Sequence, residues 1–179
     1  MIFKSSTFRH CLVPTFTMGS CNLELCSTFT YLGHVITSDR KDNDDIFRQC
    51  RSIYARGNML IRNFSSCSAG VKILLFKTYC TSLYTAHLWS NYTLASLKKL
   101  AVAYHCVLKM LLNVPRWYSN STLFVNVGVP SFQELHRRYI FGFKSRVECS
   151  ENQLIACIND HNRTNPSTLF KLWEKLLYV

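Results

Sequence analysis

The sequence predicts an α+β chain that is mostly α, with a small N-terminal antiparallel β segment followed by a helical bundle. Apolar and polar residues alternate near the N-terminus, which is typical of strands. Further along the chain, apolar residues recur every three or four positions, which is typical of amphipathic helices. The chain has 179 residues, of which 48% are hydrophobic and 13% aromatic, a globular composition. We expect a β segment at 1–38, a helical domain at 39–148 and a helical extension at 149–179.

Short strands are predicted throughout the β segment. They cover residues 2–8, 12–18, 23–26 and 29–37, and Gly19-Ser20 is a turn signal. Gly33 lies inside the last of these strands. Because glycine weakens a strand, it usually marks a bulge or a place where another backbone comes close. A β meander this small is marginal by itself, so we expect it to be frayed or sticky unless the helices cover it.

The first helix is predicted over residues 43–64. Asp42 or Asn43 is the expected N-cap, and Asp44 and Asp45 would complement the positive end of the helix dipole. The apolar face follows the 3.6-residue period. A basic stripe lies opposite that face, because Arg48, Arg51, Ala55, Asn58 and Arg62 follow one another at intervals of 3, 4, 3 and 4 residues and so share one side of the helix. The stripe consists of Arg48, Arg51 and Arg62.

Five further helices are predicted, at residues 69–88, 94–112, 121–127, 131–147 and 168–178. Asn91 or Thr93 caps the second of these and Pro115 stops it, Gly128 ends the third, and Ser131 with Glu134 forms a capping box for the fourth. Polar breaks are expected at 150–153 and 159–167. The turn at 116–120 carries the basic side chain of Arg116 and two aromatic side chains.

The charge distribution favours a polyanionic partner. The formal net charge is +11, and residues 46–133 contain ten Lys or Arg but no Asp or Glu. Such a span creates a positive field with little internal neutralisation, which suits nucleic acid. The alternative is an ordinary solvated basic surface.

The nine cysteines indicate free thiols in a reducing compartment. Their number is odd and no CxxC motif occurs. A metal site formed by His10, Cys11, Cys21 and Cys26, or by Cys149, Cys157 and His161, is a weak alternative, because neither spacing matches a tight zinc pattern. No secretory signal and no long uncharged apolar run occur, so we expect an intracellular protein, cytoplasmic or nuclear, that is neither secreted nor membrane-bound.

No residue pattern indicates catalysis. Asp44-Asp45 is the only acidic pair, and a capping role is favoured for it over metal binding. Nucleic-acid contact is better supported, with the basic stripe for phosphates and Tyr31, Arg116, Trp117 and Tyr118 for stacking and further contacts. The alternative for Trp117 and Tyr118 is packing against the bundle.

Three motifs together carry a resemblance to a known family. They are FTYLGHVITSD at 29–39, RSIYARGNMLIRNF at 51–64 and FKTYCTSLY at 76–84. This combination resembles the end of the reverse transcriptase of a jockey-like non-LTR retrotransposon, and the resemblance extends to about residue 146. In that family the YLG motif is the last palm motif and helps to grip the primer, and the helices that follow form the thumb.

The resemblance implies that Tyr31, Leu32 and Gly33 form the primer grip and that the first helix tracks a nucleic-acid duplex. The chain lacks Tyr/Phe-x-Asp-Asp, so the catalytic aspartates are absent and no cofactor is expected here, since Mg²⁺ would be bound by the missing catalytic palm. Expected partners are an RNA or DNA primer–template and the missing palm and fingers. A helical protein-interaction module and a non-functional translated remnant are the alternatives.

Overall fold

The computed structural model describes residues 1–3 and 14–177, and it confirms the mostly α, α+β fold. In the described residues, two small hairpins precede seven α-helices. The strands are β1 Thr17–Met18, β2 Cys21–Asn22, β3 Thr28–Tyr31 and β4 His34–Thr37. The helices are α1 Asn43–Asn63, α2 Ala69–Tyr79, α3 Leu94–Leu111, α4 Asn120–Val127, α5 Phe132–Glu148, α6 Gln153–Thr164 and α7 Thr168–Leu177.

The prediction of one strand over residues 29–37 is wrong, because this stretch is a hairpin. Strands β3 and β4 pair antiparallel, with Tyr31 opposite His34, so Leu32 and Gly33 form a two-residue loop. Both loop residues have positive φ, +47° at Leu32 and +77° at Gly33. A type I′ turn needs positive φ at both central positions, because its twist matches that of the paired strands. Gly33 is therefore a turn residue and not a bulge.

The first hairpin places its turn at Gly19-Ser20, as predicted. It joins Thr17–Met18 to Cys21–Asn22, so the predicted strand at 23–26 is wrong. Of the predicted strand at 12–18, only Thr17–Met18 is a strand within the described residues. Most of the strand predicted at 2–8 lies outside them.

Helix α1 agrees with the prediction, but α2 ends nine residues earlier than the predicted helix did, at Tyr79 instead of residue 88. The reason is tertiary. Arg56 of α1 donates hydrogen bonds to the carbonyls of Tyr79, at 2.8 Å, and Ser82, at 3.2 Å. Gln49, also in α1, donates to the carbonyl of Tyr84. These distant side chains satisfy carbonyls that a continuing helix would otherwise use, and the chain turns into a short 3₁₀ segment at Ala86–Leu88.

The predicted N-caps and C-cap of the later helices are confirmed, but the capping box at Ser131 is half formed, because the Glu134 side chain pairs with Arg138. Thr93 caps α3 by accepting from the Ser96 amide, and Ser131 caps α5 by accepting from the Glu134 amide at 3.2 Å. Gly128 ends α4. The predicted polar break at 159–167 is wrong in part, because α6 continues through Thr164. The terminal helix is confirmed, and its Trp173 is buried and donates to the carbonyl of His87.

Helices α1 and α3 form the centre of the bundle and run parallel. Asn43 at the start of α1 accepts from the amide of Thr93, just before α3. Further along, a Cβ atom on Gly57 would lie only 2.4 Å from Cγ1 of Val107. The helices can approach this closely only because Gly57 has no side chain. The surrounding core draws on α1 to α5 and includes Ile53, Leu60, Phe76, Tyr104, Leu108, Phe124 and Phe132.

We predict that Gly57→Ala destabilises the fold and that Gly70→Ala does not. The new methyl group at position 57 would overlap Val107, an overpacking that costs about 1–3 kcal/mol or more and exceeds the helix propensity gained. A methyl group on Gly70 would meet nothing within 4 Å, so that variant should be neutral or up to about 1 kcal/mol more stable. Chemical denaturation measures both free energies of unfolding. Equal stability of the two variants would contradict the close α1–α3 contact.

Candidate nucleic-acid interface

The carboxylate of Asp45 is fully buried and joins three separate parts of the chain. From the hairpin, the Val35 amide donates to Oδ1 at 3.0 Å and His34 Nδ1 lies 3.1 Å from Oδ2. From the region around the 3₁₀ segment, Thr85 Oγ1 donates at 2.7 Å and Trp89 Nε1 at 2.8 Å, both to Oδ2. From α1 itself, Arg48 Nε donates to Oδ1 at 2.8 Å.

These partners explain the ionisation of Asp45. Burial by itself would raise the pKa of this carboxyl, because a charge is poorly solvated inside a protein. The neighbouring imidazole of His34 and hydrogen bonds from Arg48, Thr85 and Trp89 outweigh burial and hold the pKa of Asp45 well below the ordinary value. Asp45 is therefore a buried anion that accepts hydrogen bonds from several parts of the chain, and it does more than complement the helix dipole.

The predicted position of the α1 N-cap is confirmed, but the capping hydrogen bond is not formed. Asp42 occupies the N-cap position, but its side chain makes no capping hydrogen bond. Its Oδ2 instead accepts from the amides of Ser90 and Asn91, each at 2.8 Å. Asn43 likewise bonds to Thr93. The acidic segment before α1 thus ties the start of this helix to the start of α3.

The predicted basic stripe divides into one internal arginine and two exposed ones. Arg48 has a side chain only 28% exposed, and its Nε is committed to Asp45. Arg51 and Arg62 are exposed on α1. They lie eleven positions apart, which corresponds to about 16 Å along a helix axis, or several phosphates of a nucleic-acid strand. The structure therefore assigns Arg48 to holding the hairpin and leaves Arg51 and Arg62 open to solvent.

The ten Lys and Arg side chains of residues 46–133 likewise divide into internal and exposed ones. Arg48 and Arg56 bond to groups inside the protein, while Lys72 and Lys109 are buried. The other six are exposed: Arg51, Arg62, Lys77, Lys98, Lys99 and Arg116. Lys99 lies beside α1, since its Nζ is 5.1 Å from the ring centre of Phe47. We use the term α1–α3 seam for the exposed cations of these two helices and the turn after α3, namely Arg51, Arg62, Lys98, Lys99 and Arg116.

Tyr31, Leu32 and Gly33 lie at the tip of the second hairpin. The side chains of Tyr31 and Leu32 are 59% and 72% exposed. Gly33 faces Tyr84, and a Cβ atom there would lie 3.3 Å from its ring. Through Val35, His34 and Asp45 the hairpin is connected to Arg48, so the structure brings these predicted residues into one region. Within the described residues, Arg51, Arg62 and Arg116 form no hydrogen bond or ion pair with the hairpin tip.

Arg116 lies beside α1. Burial raises the pKa of Tyr54, the nearby thiols of Cys106 and Cys50 raise it further, and the positive charge of Arg116 lowers it. Tyr54 is three residues after Arg51, which makes them neighbours on one helix face. Arg51 and Tyr54 therefore share one face of α1, and the charge of Arg116 acts on that face.

The two aromatic residues after Arg116 behave differently. Tyr118 packs against the core, as the packing alternative predicts. Trp117 does not, because it is 83% exposed. Sequence reasoning gave no role to Tyr54 or to the buried Lys109, whose Nζ donates to the carbonyls of Arg116 and Tyr118. A lysine in an apolar helix pattern is no signal by itself, so Lys109 could not have been found from the sequence.

A cleft of about 950 Å³ lies between α2, α4 and α5 and is separate from this seam. Its lining includes Lys77, His105 and Arg138. Arg138 is paired with Glu134 at 2.6 Å, and His105 lies 3.3 Å from the Asn120 amide nitrogen. Among the described residues, the Lys77 ammonium forms no hydrogen bond or ion pair, so it is available to an anion in this cleft. A single available cation makes the cleft a weaker anion site than the seam.

The described residues contain no cluster of three or more His, Cys, Asp or Glu side chains suited to a metal ion. His10 and Cys11 lie outside the described part of the chain. The eight cysteines within it are all free, as predicted. Over the same residues, the structure contains no helix with both the length and the apolar character needed to cross a bilayer. Comparison with protein-family models, curated proteins and solved structures finds no match for this chain.

We predict that Asp45→Asn destabilises the protein by about 3–5 kcal/mol, because an amide cannot replace a buried carboxylate surrounded by donors. Asp44→Asn is the matched control. Asp44 is an exposed neighbour in the same helix turn, so its loss should cost less than about 1 kcal/mol. Urea denaturation followed by circular dichroism measures both. Similar small losses in the two variants would show that Asp45 does not hold the three segments together.

The wild-type protein should lose stability in acid. The pKa of Asp45 is lower in the folded state than in the unfolded state, where it is about 3.9, so this group stabilises the fold above pH of about 4 and progressively less below it. Asp45→Asn should flatten this acid limb. Where the variant does not fold, a wild-type stability that stays constant from neutral pH to below about 4 would contradict the assignment.

Proposed function

We propose that this chain is the terminal palm element and thumb of a non-LTR retrotransposon reverse transcriptase. Its own activity is salt-sensitive, sequence-independent binding of an RNA or DNA primer–template. The motif resemblance suggests this identity, and the exposed cations of the α1–α3 seam support the binding activity. Such a chain would act in the cytoplasm or nucleus.

The seam is the observation that carries the binding proposal. Arg51, Arg62, Lys98, Lys99 and Arg116 are exposed, and no carboxylate occurs between residues 46 and 133 to neutralise them. Exposed Lys and Arg release counterions from phosphates when they bind, which gives affinity without sequence preference. Aromatic side chains lie among these cations, as in proteins that bind single strands or strand ends.

The uncovered β segment supports a protein partner such as the missing palm. Within the described residues, β3 pairs only with β4, so its outer edge has no strand beside it. Phe29 and Tyr31 of β3 share one face and are 54% and 59% exposed. Met18 in β1 is 74% exposed. Exposed edges and apolar faces of this kind are normally covered, and the rest of a polymerase palm would cover them.

Polymerisation by this chain alone is not part of the proposal. The sequence has no Tyr/Phe-x-Asp-Asp, and the only acidic pair includes Asp45, whose oxygens are occupied by the hairpin, Arg48, Thr85 and Trp89. A carboxylate so engaged could not serve a transferring phosphoryl group. Catalysis would require the missing palm.

We predict that Arg51→Gln with Arg62→Gln flattens the salt dependence of binding to an RNA–DNA duplex. Each lost phosphate contact lowers the slope of log affinity against log salt concentration by about 0.9 in duplex binding, so the double variant should lose nearly two units. Fluorescence anisotropy of a labelled duplex at several salt concentrations gives the slope. Arg48 is kept, because its replacement would disturb Asp45.

The matched control is Arg137→Gln with Arg163→Gln, which removes the same charge from exposed positions in α5 and α6. It should leave the slope almost unchanged. Equal effects of the two double variants would mean that only net charge matters, and a wild-type protein with no salt-dependent duplex affinity would rule out the binding proposal. A discrete protein partner without such affinity would instead support the interaction-module alternative.

The identity has its own test. Sequencing of the transcript upstream of the Met1 codon should reveal an in-frame Tyr/Phe-x-Asp-Asp within roughly one palm subdomain, that is, about a hundred codons, consistent with domain sizes. A start codon at Met1 with no such motif upstream would leave a catalytically inactive remnant, whose activity is limited to binding.

A further inference from the structure

Trp117 is the most exposed tryptophan of the chain. Its side chain is 83% exposed, whereas Trp89 and Trp173 are 1% exposed. Tryptophan is on average a highly buried residue, because its large apolar ring is costly to hydrate. A tryptophan left almost entirely in solvent therefore contributes little to this fold, and its ring is accessible to a ligand.

The turn that carries Trp117 is held in place from the protein side. The buried Nζ of Lys109 donates to the carbonyl of Arg116 at 3.0 Å and to that of Tyr118 at 2.6 Å, on either side of Trp117. The Tyr118 amide donates to the carbonyl of Pro115 at 3.1 Å, and the Tyr118 ring packs against the core. The backbone around Trp117 is thus fixed while its ring points outward.

The buried Lys109 has a structural role in the turn that carries Trp117. A buried ammonium group is costly unless hydrogen bonds compensate it, and Lys109 finds its compensation at the carbonyls of this turn. An apolar residue would fill the same helix position at lower cost. The lysine therefore serves the geometry of the turn and adds positive charge beneath it.

The surroundings of Trp117 are cationic. Arg116 precedes it and lies close enough to Tyr54 for its charge to act on the phenol, and Arg51 lies one helix turn before Tyr54. No carboxylate occurs in residues 46–133. An exposed rigid ring among unneutralised cations has the chemistry that recognises nucleobases joined by phosphates, since the ring stacks on a base while the cations bind the backbone.

We propose that Trp117 is a stacking platform for an unpaired base of single-stranded nucleic acid, and that Arg116 and Arg51 bind the adjoining phosphates. This inference rests on the proposed nucleic-acid binding and adds its substrate form, a single strand or the single-stranded end of a duplex. Stacking of this kind tolerates any base, because every base has a π face.

The experiment compares two labelled ligands, an oligothymidylate and an abasic oligomer with the same number of phosphates, at one low salt concentration. Trp117→Ala should weaken binding of the oligothymidylate by about 5- to 100-fold and leave binding of the abasic oligomer unchanged. Trp117→Phe should retain part of the affinity, because it keeps an aromatic ring. Arg51→Gln with Arg62→Gln should weaken the binding of both ligands.

Tryptophan fluorescence gives an independent reading. Stacking should quench the emission of Trp117, while Trp89 and Trp173 are shielded from the ligand by burial. The quenching should therefore disappear in Trp117→Ala and should be absent with the abasic oligomer. Because Trp117 is so exposed, its replacement should leave the circular dichroism spectrum and the melting temperature unchanged, so loss of binding cannot be attributed to unfolding.

The outcomes separate this inference from the proposed function. Salt-dependent binding that is equal in wild type and Trp117→Ala, or equal for the two ligands, overturns the stacking role and leaves phosphate binding by the seam intact. Wild-type protein that binds neither ligand nor a duplex overturns both proposals.

Discussion

The buried carboxylate of Asp45 is the interaction on which the arrangement of this protein depends. A charge inside a protein is tolerated only when donors replace the lost water. Here the donors come from the β3–β4 hairpin, from α1 and from the region around the 3₁₀ segment. None of these three regions can move away without leaving the anion partly unpaired, so a single side chain determines how the β segment is attached to the helices.

Internal hydrogen bonds determine which basic side chains are available at the surface. The helical spacing of Arg48 with Arg51 and Arg62 predicts a surface residue. In the structure, Arg48 is largely buried and donates a hydrogen bond to Asp45. Arg56 and Lys109 similarly satisfy backbone carbonyls, at the end of α2 and in the turn after α3. The net charge therefore overstates the charge that faces a partner. The exposed cations of α1 and α3, together with Arg116, form the α1–α3 seam, and the close contact at Gly57 brings these two helices together.

The helical part and the β segment of the chain differ in how well they bury their apolar side chains. The helical part buries a continuous core around α1 and α3, whereas the hairpins expose aromatic and aliphatic side chains over most of their surface. Strand β4 lies against α1, and its Thr37 is buried. A two-stranded sheet has too little apolar area to be stable by itself. In the described residues, the hairpins therefore leave apolar surface uncovered, whereas the helices bury a common core.

The sequence by itself determined the fold class, the positions of most helices and the caps formed by Thr93 and Ser131, because these depend on residues within one or two turns of each other. The tertiary structure alone decided the end of α2, the function of Asp45, the orientation of Lys109 and the exposure of Trp117, because each is set by contacts between residues distant in the chain or by packing. The β3–β4 turn is an intermediate case. It is local, but leucine rarely adopts the positive φ that the turn needs, so Leu32 concealed it within an apparent strand.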